Sequence, residues 1–573
     1  MSTSKGKVFV IGLDGATFDL ARTWIDEGRL PNLAGLMREG VHGELASTIP
    51  PISAAAWASF STGLNPGKHG IYHFRQHVPG TYRQKIATGG DRKGKSLWRI
   101  LSDHGKKVIV VNIVMTYPPE QVNGFLVSGL DSPGTGSNYT CPAELREELG
   151  QAVRGYVIEP DLAQFARRDR YDLVYRNIIS CLEARNAAVE YLLDKYEYDF
   201  FAVNFRATDL VQHHFWKFIN EAHPLYDEAQ AREYGHCIRS VYEKLDRIVG
   251  ELLTRCDDQT TVVVMSDHGF GTDSARTVYL NRWLQEQGWL SFVGGGDEGG
   301  GLRQVFGKIE QGARGLLRKL IWDFARQHAP QGLKDLLKRE LPDLTNTLKS
   351  PTTYHAIRWA QTVAYSDEHR SNIWINLKGR EPEGIVEPGA EYEALRDEII
   401  ERLRTLHDPE TGTAVFSEVY RREELYPGQQ VGVTPDIHMV LTQDPLYVSR
   451  PSRSAHGSGS VATLTPKQLS AGWLISGRHR PNGVFVMKGP GIVRGRALTG
   501  LSIMDLAPTI LTVMGHPVLD SMDGRVIEEA FTSTPEVRSE HDDSGEEPSS
   551  NGGVYSEAEE DEVADRLHGL GYI

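Results

Sequence analysis

The stretch "KVFVIGLDG", residues 7–15, decides the fold. Its apolar, β-branched run closes on Asp14-Gly15, the pattern of a short buried strand ended by a turn. An apolar run without alternation belongs to parallel sheets, whose two faces are both covered. Moving outward along the chain, the pattern recurs. "KKVIVVNIV" (106–114), "YDFFAVNF" (198–205) and "TTVVVMS" (260–266) read as further buried strands, and "GVFVMKGPGI" (483–492) as a late strand and turn. Between them lie helical stretches: "LPNLAGLMREG" with Gly40 at its end, "SLWRILSDHG", and two long amphipathic runs, "LVYRNIISCLEARNAAVEYLLDKY" and "YGHCIRSVYEKLDRIVGELLTRC". This alternation predicts an α/β fold with a largely parallel central sheet and helices on both faces.

Composition narrows the function classes. With 573 residues, 40% hydrophobic and 24% charged, the chain exceeds one ordinary core and has globular composition. A formal net charge of −14 argues against nucleic acid as a partner, although a local metal centre can still attract a phosphate. Cys141, Cys181, Cys237 and Cys256 have no CxxC spacing, so neither a disulfide framework nor a thiolate zinc site is expected, which fits a reducing cytoplasm. The opening "MSTSKGKVFVIGLDG" does not read as a signal peptide. No run approaches the roughly 20 apolar residues of a membrane span. The expected location is cytoplasmic.

Chemistry concentrates at the strand ends. Asp14 ends the first strand, Asp209 and His213 follow "FFAVNF" in "RATDLVQHHFW", and Asp267 and His268 end "TVVVMS" in "SDHGF". Open parallel sheets bind ligands at the carboxyl ends of their strands. Asp209 and His213, four apart, share one face of a helix, with His214 the alternative if the register differs by one. Carboxylates and imidazoles without thiolates suit Zn²⁺, or Mn²⁺ as second choice, and there are ligands enough for two metals. In "STIPPISAAAWASFSTGLNPGKHGIYHF" (47–74), a helix starting at Ser53 would set a hydroxyl among unpaired backbone N–H groups, where a nucleophile meets an anionic substrate.

"VFVIGLDG", "SAAAWASFSTGLNPGKHGI", "DLVQHH", "SDHGF" and "HRPNGVFVMKGPGI" occur in the order seen in the alkaline phosphatase superfamily. The chain most resembles its type I phosphodiesterase/nucleotide pyrophosphatase branch, across most of residues 7–292 and 354–515. The resemblance implies an alkaline-phosphatase-like fold and a two-metal site. One metal would be held by Asp14, Asp267, His268 and the nucleophile oxygen of Ser53. The other would be held by Asp209, His213 and a late histidine: His479 in "SGRHRPNGVFVMKGPGI", or His456 in "SRSAHGSGS". It also implies attack by Ser53 on phosphorus and a phosphoserine intermediate. Where the pyrophosphatases carry Asn shortly after the nucleophile, this chain has "SAAAW". The phosphate oxygens would then fall to backbone N–H groups at the helix start, or to a distant residue such as Asn372. The nucleotide-binding aromatic pair of that branch is not identifiable.

The expected organisation is a catalytic α/β domain over 1–292 and 352–531, interrupted by a helical insertion or cap over 293–351. An acidic, flexible tail with a short terminal helix follows over 532–573. The insertion pairs a "GGGDEGGG" hinge with a basic amphipathic stretch that would cover the sheet domain or touch a membrane or protein. The expected function is a two-metal phosphodiesterase acting on a nucleotide or other small phosphate ester. The alternatives are a phosphomonoesterase or phosphomutase on the same scaffold, and a metal-binding recruitment protein with weak catalysis.

Overall fold

The computed structural model describes residues 6–293, 354–367, 371–443, 446–450, 459–470, 475–542 and 554–572. The expected insertion, apart from Val293, and His456 lie outside the described residues. A nine-stranded sheet forms the centre, in the order Arg496–Ser502, Val41–Ala46, Asn482–Lys488, Thr260–Met265, Lys7–Leu13, Phe200–Phe205, Val108–Val111, Gly124–Val127 and Thr140–Cys141. Lys7–Leu13 lies at its middle, parallel to Phe200–Phe205 on one side and to Thr260–Met265 on the other. Asn482–Lys488 and Thr140–Cys141 run against their neighbours, and the other pairings are parallel. All six residues of Phe200–Phe205 and of Thr260–Met265 are buried, which is why these runs show no polar alternation.

Helix Cys237–Leu253 packs its apolar stripe against helices Ala207–Phe215 and Pro31–Glu39. Pro31–Glu39 has no capping side chain of its own. Asp246 supplies one from the neighbouring helix, accepting from the N–H groups of Asn32 and Leu33 at 3.1 and 2.8 Å. The helix expected from Ser53 is Ser53–Thr62, wholly buried, and its end is a left-handed Gly63 whose N–H donates to the Ser59 carbonyl. Burying a side chain such as Phe60 stabilises the fold by roughly 1.5–3 kcal/mol.

A second apolar cluster, including Trp283, Trp289, Tyr365, Ile399 and Ile437, surrounds a four-stranded sheet of Ala364–Tyr365, Asn372–Ile375, Ile437–Leu441 and Phe416–Arg421. It is joined to the Ser53 region: Ile49 N–H donates to Tyr426 Oη at 2.9 Å, and Asn65 Nδ2 donates to the Pro427 carbonyl at 3.0 Å. Residues 352–531 thus serve two sheets, because Asn482–Lys488 and Arg496–Ser502 return to the central one. In the segment 532–573, helix Glu557–Gly569 buries Val563 and Leu567 against the main core. Among the described residues, no helix is long and apolar enough to cross a membrane.

Candidate active site

The carboxyl ends of the three middle strands bring the expected residues together. Asp14 follows Lys7–Leu13, and Asp267 and His268 follow Thr260–Met265. Helix Ala207–Phe215 carries Asp209 and His213 one turn apart just beyond Phe200–Phe205. This helix is tied to the first strand, since Thr208 Oγ1 donates to the Asp14 carbonyl at 2.6 Å and Gln212 Nε2 to that of Gly15 at 2.8 Å. His479 comes from strand Gly477–Arg480, which pairs antiparallel with Gly269–Thr272 and sets His479 opposite Phe270. Two clusters result: Asp14, Asp267 and His268, and Asp209, His213 and His479, with ligand atoms in each within 4.8 Å of one another. They adjoin, for the His268 and His479 rings stack at 3.6 Å.

Each carboxylate has one oxygen anchored and one bare. Asp14 Oδ2 accepts from Asn204 Nδ2 at 2.8 Å and Trp57 Nε1 at 3.2 Å, and Asp267 Oδ1 accepts from Gly15 N–H at 3.2 Å. Asp209 Oδ2 accepts from Arg206 Nη2 and Tyr572 Oη, both at 2.7 Å. Their other oxygens, Asp14 Oδ1, Asp267 Oδ2 and Asp209 Oδ1, are buried without a hydrogen-bond partner.

The histidines are oriented the same way. The Nδ1 atoms of His213, His268 and His479 lie 3.1, 3.0 and 2.9 Å from the carbonyls of Gly477, Gly269 and Pro51. A carbonyl only accepts, so each Nδ1 donates to it and each Nε2 is turned inward toward the carboxylates. His213 Nε2 and His479 Nε2 are 3.1 Å apart, and each stands 3.3 or 3.2 Å from Asp209 Oδ1. Bare carboxylate oxygens and Nε2 atoms converging in a buried site form a ligand set that a cation would satisfy. Two divalent ions fit this donor set of carboxylate oxygens and imidazole nitrogens.

Charge tells the same story. Burial, reinforced by Asp267, pushes the Asp14 carboxyl well above the usual range, and burial raises Asp267 too. Burial also acts on Asp209, but His213, His479 and Arg206 outweigh it and hold this carboxyl well below the usual range. Burial, then His268, pushes His479 down to about 3, so it is neutral near pH 7.

Ser53 is buried at the start of its helix, its Oγ 3.2 Å from His268 Nε2. The preceding Ile52 provides no side-chain cap, so the first N–H groups of this helix have no partner on the cap residue. His213 rather than His214 faces Asp209. Asn372 lies in the second sheet, where its amide donates to Asp367 at 3.2 Å, and none of its hydrogen bonds reaches the two clusters. A cleft of about 430 Å³ opens from His213 and His479, walled by Ile49, Pro51, Met439, Leu441 and Val448, with Arg478 and Arg480 at its side.

Sequence reasoning missed Trp57, Asn204, Arg206 and Tyr572. Asn204 and Arg206 had a faint signal, being polar residues at the end of a buried strand. Arg206 is itself fully buried, 3.0 Å from Glu159 and 3.5 Å from Asp14. Tyr572 had none.

Among solved structures, the chain is similar to phosphonoacetate hydrolase from Sinorhizobium meliloti 1021 in complex with phosphonoformate, at 15% identity over 89% of this chain and 95% of that chain, with a TM-score of 0.48. It is also similar to human ectonucleotide pyrophosphatase / phosphodiesterase 5, at 12% identity over 92% of this chain and 100% of that chain, with a TM-score of 0.44. No curated protein matches the chain. The family model described as type I phosphodiesterase / nucleotide pyrophosphatase matches residues 8–460. The chain belongs to the type I phosphodiesterase/nucleotide pyrophosphatase family, a family of phosphoric ester hydrolases.

Proposed function

We propose that this protein is a two-metal phosphodiesterase in which Ser53 is the nucleophile. The observation that carries this reading is the convergence of three bare carboxylate oxygens and three inward-turned Nε2 atoms beside the Ser53 hydroxyl. Asp14, Asp267 and His268, with Ser53 Oγ, would hold one divalent ion, and Asp209, His213 and His479 the other. Zn²⁺ is the first choice and Mn²⁺ the second. Bound there, the two ions would supply charge neutralisation for the phosphoryl oxygens and lower the pKa of the Ser53 hydroxyl.

Ser53 Oγ forms the bond to phosphorus as the ester oxygen opposite departs with a proton as an alcohol, leaving a phosphoserine. Water then adds to the same phosphorus and the serine oxygen leaves, restoring the hydroxyl and releasing a phosphomonoester. The N–H groups at the start of helix Ser53–Thr62, which has no side-chain cap, would donate to the non-bridging oxygens, the role that "SAAAW" leaves to the backbone. The diester preference is supported by the cleft, which has room and apolar walls for an organic ester group beyond the phosphorus. A nucleotide or another small diester fits these walls. The four unpaired cysteines support a reducing cytoplasm as its location.

The test is hydrolysis of bis-p-nitrophenyl phosphate beside p-nitrophenyl phosphate with zinc or manganese, using Ser53→Ala as control. A diester preference, abolished by Ser53→Ala while metal uptake persists, is the expected result. A monoester preference would move the assignment to a phosphatase or mutase, and activity surviving in Ser53→Ala would overturn the nucleophile.

A further inference from the structure

The short terminal helix expected at the end of the acidic tail brings a side chain to one of the two clusters. Ser556 caps helix Glu557–Gly569, and just before it the Tyr555 ring stacks on Tyr117 at 5.6 Å with an interplanar angle of 5°. Tyr555 Oη donates to the Asp131 carbonyl, and the Arg566 guanidinium donates to the carbonyls of Leu130, Ser132 and Pro133. Val563, Leu567 and Leu570 are buried. This is a docked element with its own polar and apolar anchors. Past the helix the chain turns at Gly571, whose φ of 80° places it in the left-handed region that favours glycine, and delivers Tyr572 into the interior at 4% exposure.

Tyr572 stands between Arg206 and Asp209. Its hydroxyl donates to Asp209 Oδ2 at 2.7 Å and accepts from Arg206 Nη2, while Arg206 also donates to Asp209 Oδ2 at 2.7 Å. The ring stands edge-on to His213 at 5.8 Å and to His479 at 5.6 Å. A carboxylate turns readily about its terminal bond. Two donors on Oδ2 remove that freedom and leave Oδ1 facing His213 Nε2 and His479 Nε2. Nothing in this arrangement is required for helix Glu557–Gly569 to dock, since its anchors lie at Asp131 and residues 130–133.

We propose that Tyr572 is a positioning residue: with Arg206 it pins Asp209 so that Asp209, His213 and His479 form a ready-made cation site, which residues 554–572 thereby complete. This inference rests on the two-metal reading above. Partners that orient a ligating side chain affect metal affinity by about 10–100-fold, and their removal leaves the ligands themselves in place.

The test is Tyr572→Phe in the full chain, stripped of metal and titrated with zinc against a competing chelator. His213→Ala identifies which binding event belongs to this cluster. The expected result is that Tyr572→Phe weakens that event by about 10-fold or more and leaves the other within about 2-fold, with unchanged circular dichroism. Unchanged affinity at both sites would overturn the positioning role alone. Equal weakening of both would also overturn it, because a general loosening of the fold would then account for the effect. A wild-type chain that takes up no zinc would instead overturn the two-metal reading on which the inference rests.

Discussion

Replacing Asp14 by Asn should make the metal-free protein more stable while crippling its capacity to bind metal. The ligand atoms of Asp14 and Asp267 lie within 4.8 Å, and at an effective dielectric of about 20 two charges at that distance repel by about 3.5 kcal/mol. Arg206, 3.5 Å from Asp14 Oδ2, returns about 4.7 kcal/mol on the same scale. These terms nearly offset each other, and Arg206 is also shared with Asp209 and Glu159. What decides the balance is desolvation of a wholly buried carboxylate, which costs several kcal/mol and is the first cause of the raised Asp14 pKa. The amide introduced by Asp14→Asn keeps an acceptor for Asn204 and Trp57 and can turn its NH₂ group toward Asp267. The expected net gain in the metal-free state near pH 8 is about 2 kcal/mol, a rise in melting temperature of the order of 2 °C.

The pH dependence has a definite sign. A carboxyl whose folded pKa is raised holds its proton in the native state after the unfolded chain has lost it. Metal-free wild type therefore loses stability as pH climbs from the usual carboxylate range through the raised value. An amide does not titrate, so the two melting curves should converge toward about pH 4 and separate above it. Adding excess zinc should reverse the order, raising the wild type far more than the variant. Melting both chelator-treated proteins across pH, with and without zinc, checks every part. A variant less stable than wild type at high pH without metal would refute the reasoning.

Other perturbations reach the supports. Gly12→Ala would set a Cβ 2.6 Å from the Trp57 ring, whose Nε1 anchors Asp14, so both the denaturant midpoint and zinc affinity should fall, at a cost of about 1–3 kcal/mol. Asp273→Ala removes the carboxylate that accepts from Arg450 at 2.8 Å and Arg478 at 2.5 Å beside the cleft, and urea unfolding should show a loss of about 3–5 kcal/mol. Burial raises Glu381 to about 7 despite Arg380, so its contribution to stability is present below about pH 4.5 and lost as pH rises through 7. Glu381→Gln should flatten that slope by about 3 kcal/mol in pH-dependent unfolding.

Much of this was legible in the sequence because burial on both faces erases polarity from a strand. "VFVIGL", "FFAVNF" and "TTVVVM" could be little else, and their ends carry the clustered Asp and His residues. Val41–Ala46 was not legible: as "VHGELA" it buries alternate residues only and has no apolar run. Arg496–Ser502, at the sheet edge, is mostly exposed and reads as a loop. The second sheet escaped for a related reason, since its strands are short and its apolar residues are spread over nearly two hundred positions. Tyr572 could not be read at all. Its place depends on a helix held by carbonyls at 130–133, which no local pattern announces.

The run "SAAAW" looked like a departure from its family, a place where a phosphate-binding side chain was missing. The packing gives it a different meaning. Ala54, Ala55, Ala56 and Ala58 are at most 1% exposed, and Trp57 fills the space beneath Gly12 while its Nε1 anchors Asp14. A longer side chain at the alanines would have to displace atoms of a close-packed interior, at a cost of about 1–3 kcal/mol each. The alanines therefore serve two ends. They let the helix start, with Ser53, lie against His268 of the first cluster, and they let Trp57 reach the carboxylate that the first strand delivers. In the proposed reaction the phosphate is held by the backbone because the side chains after Ser53 at this helix start are committed to the main apolar core.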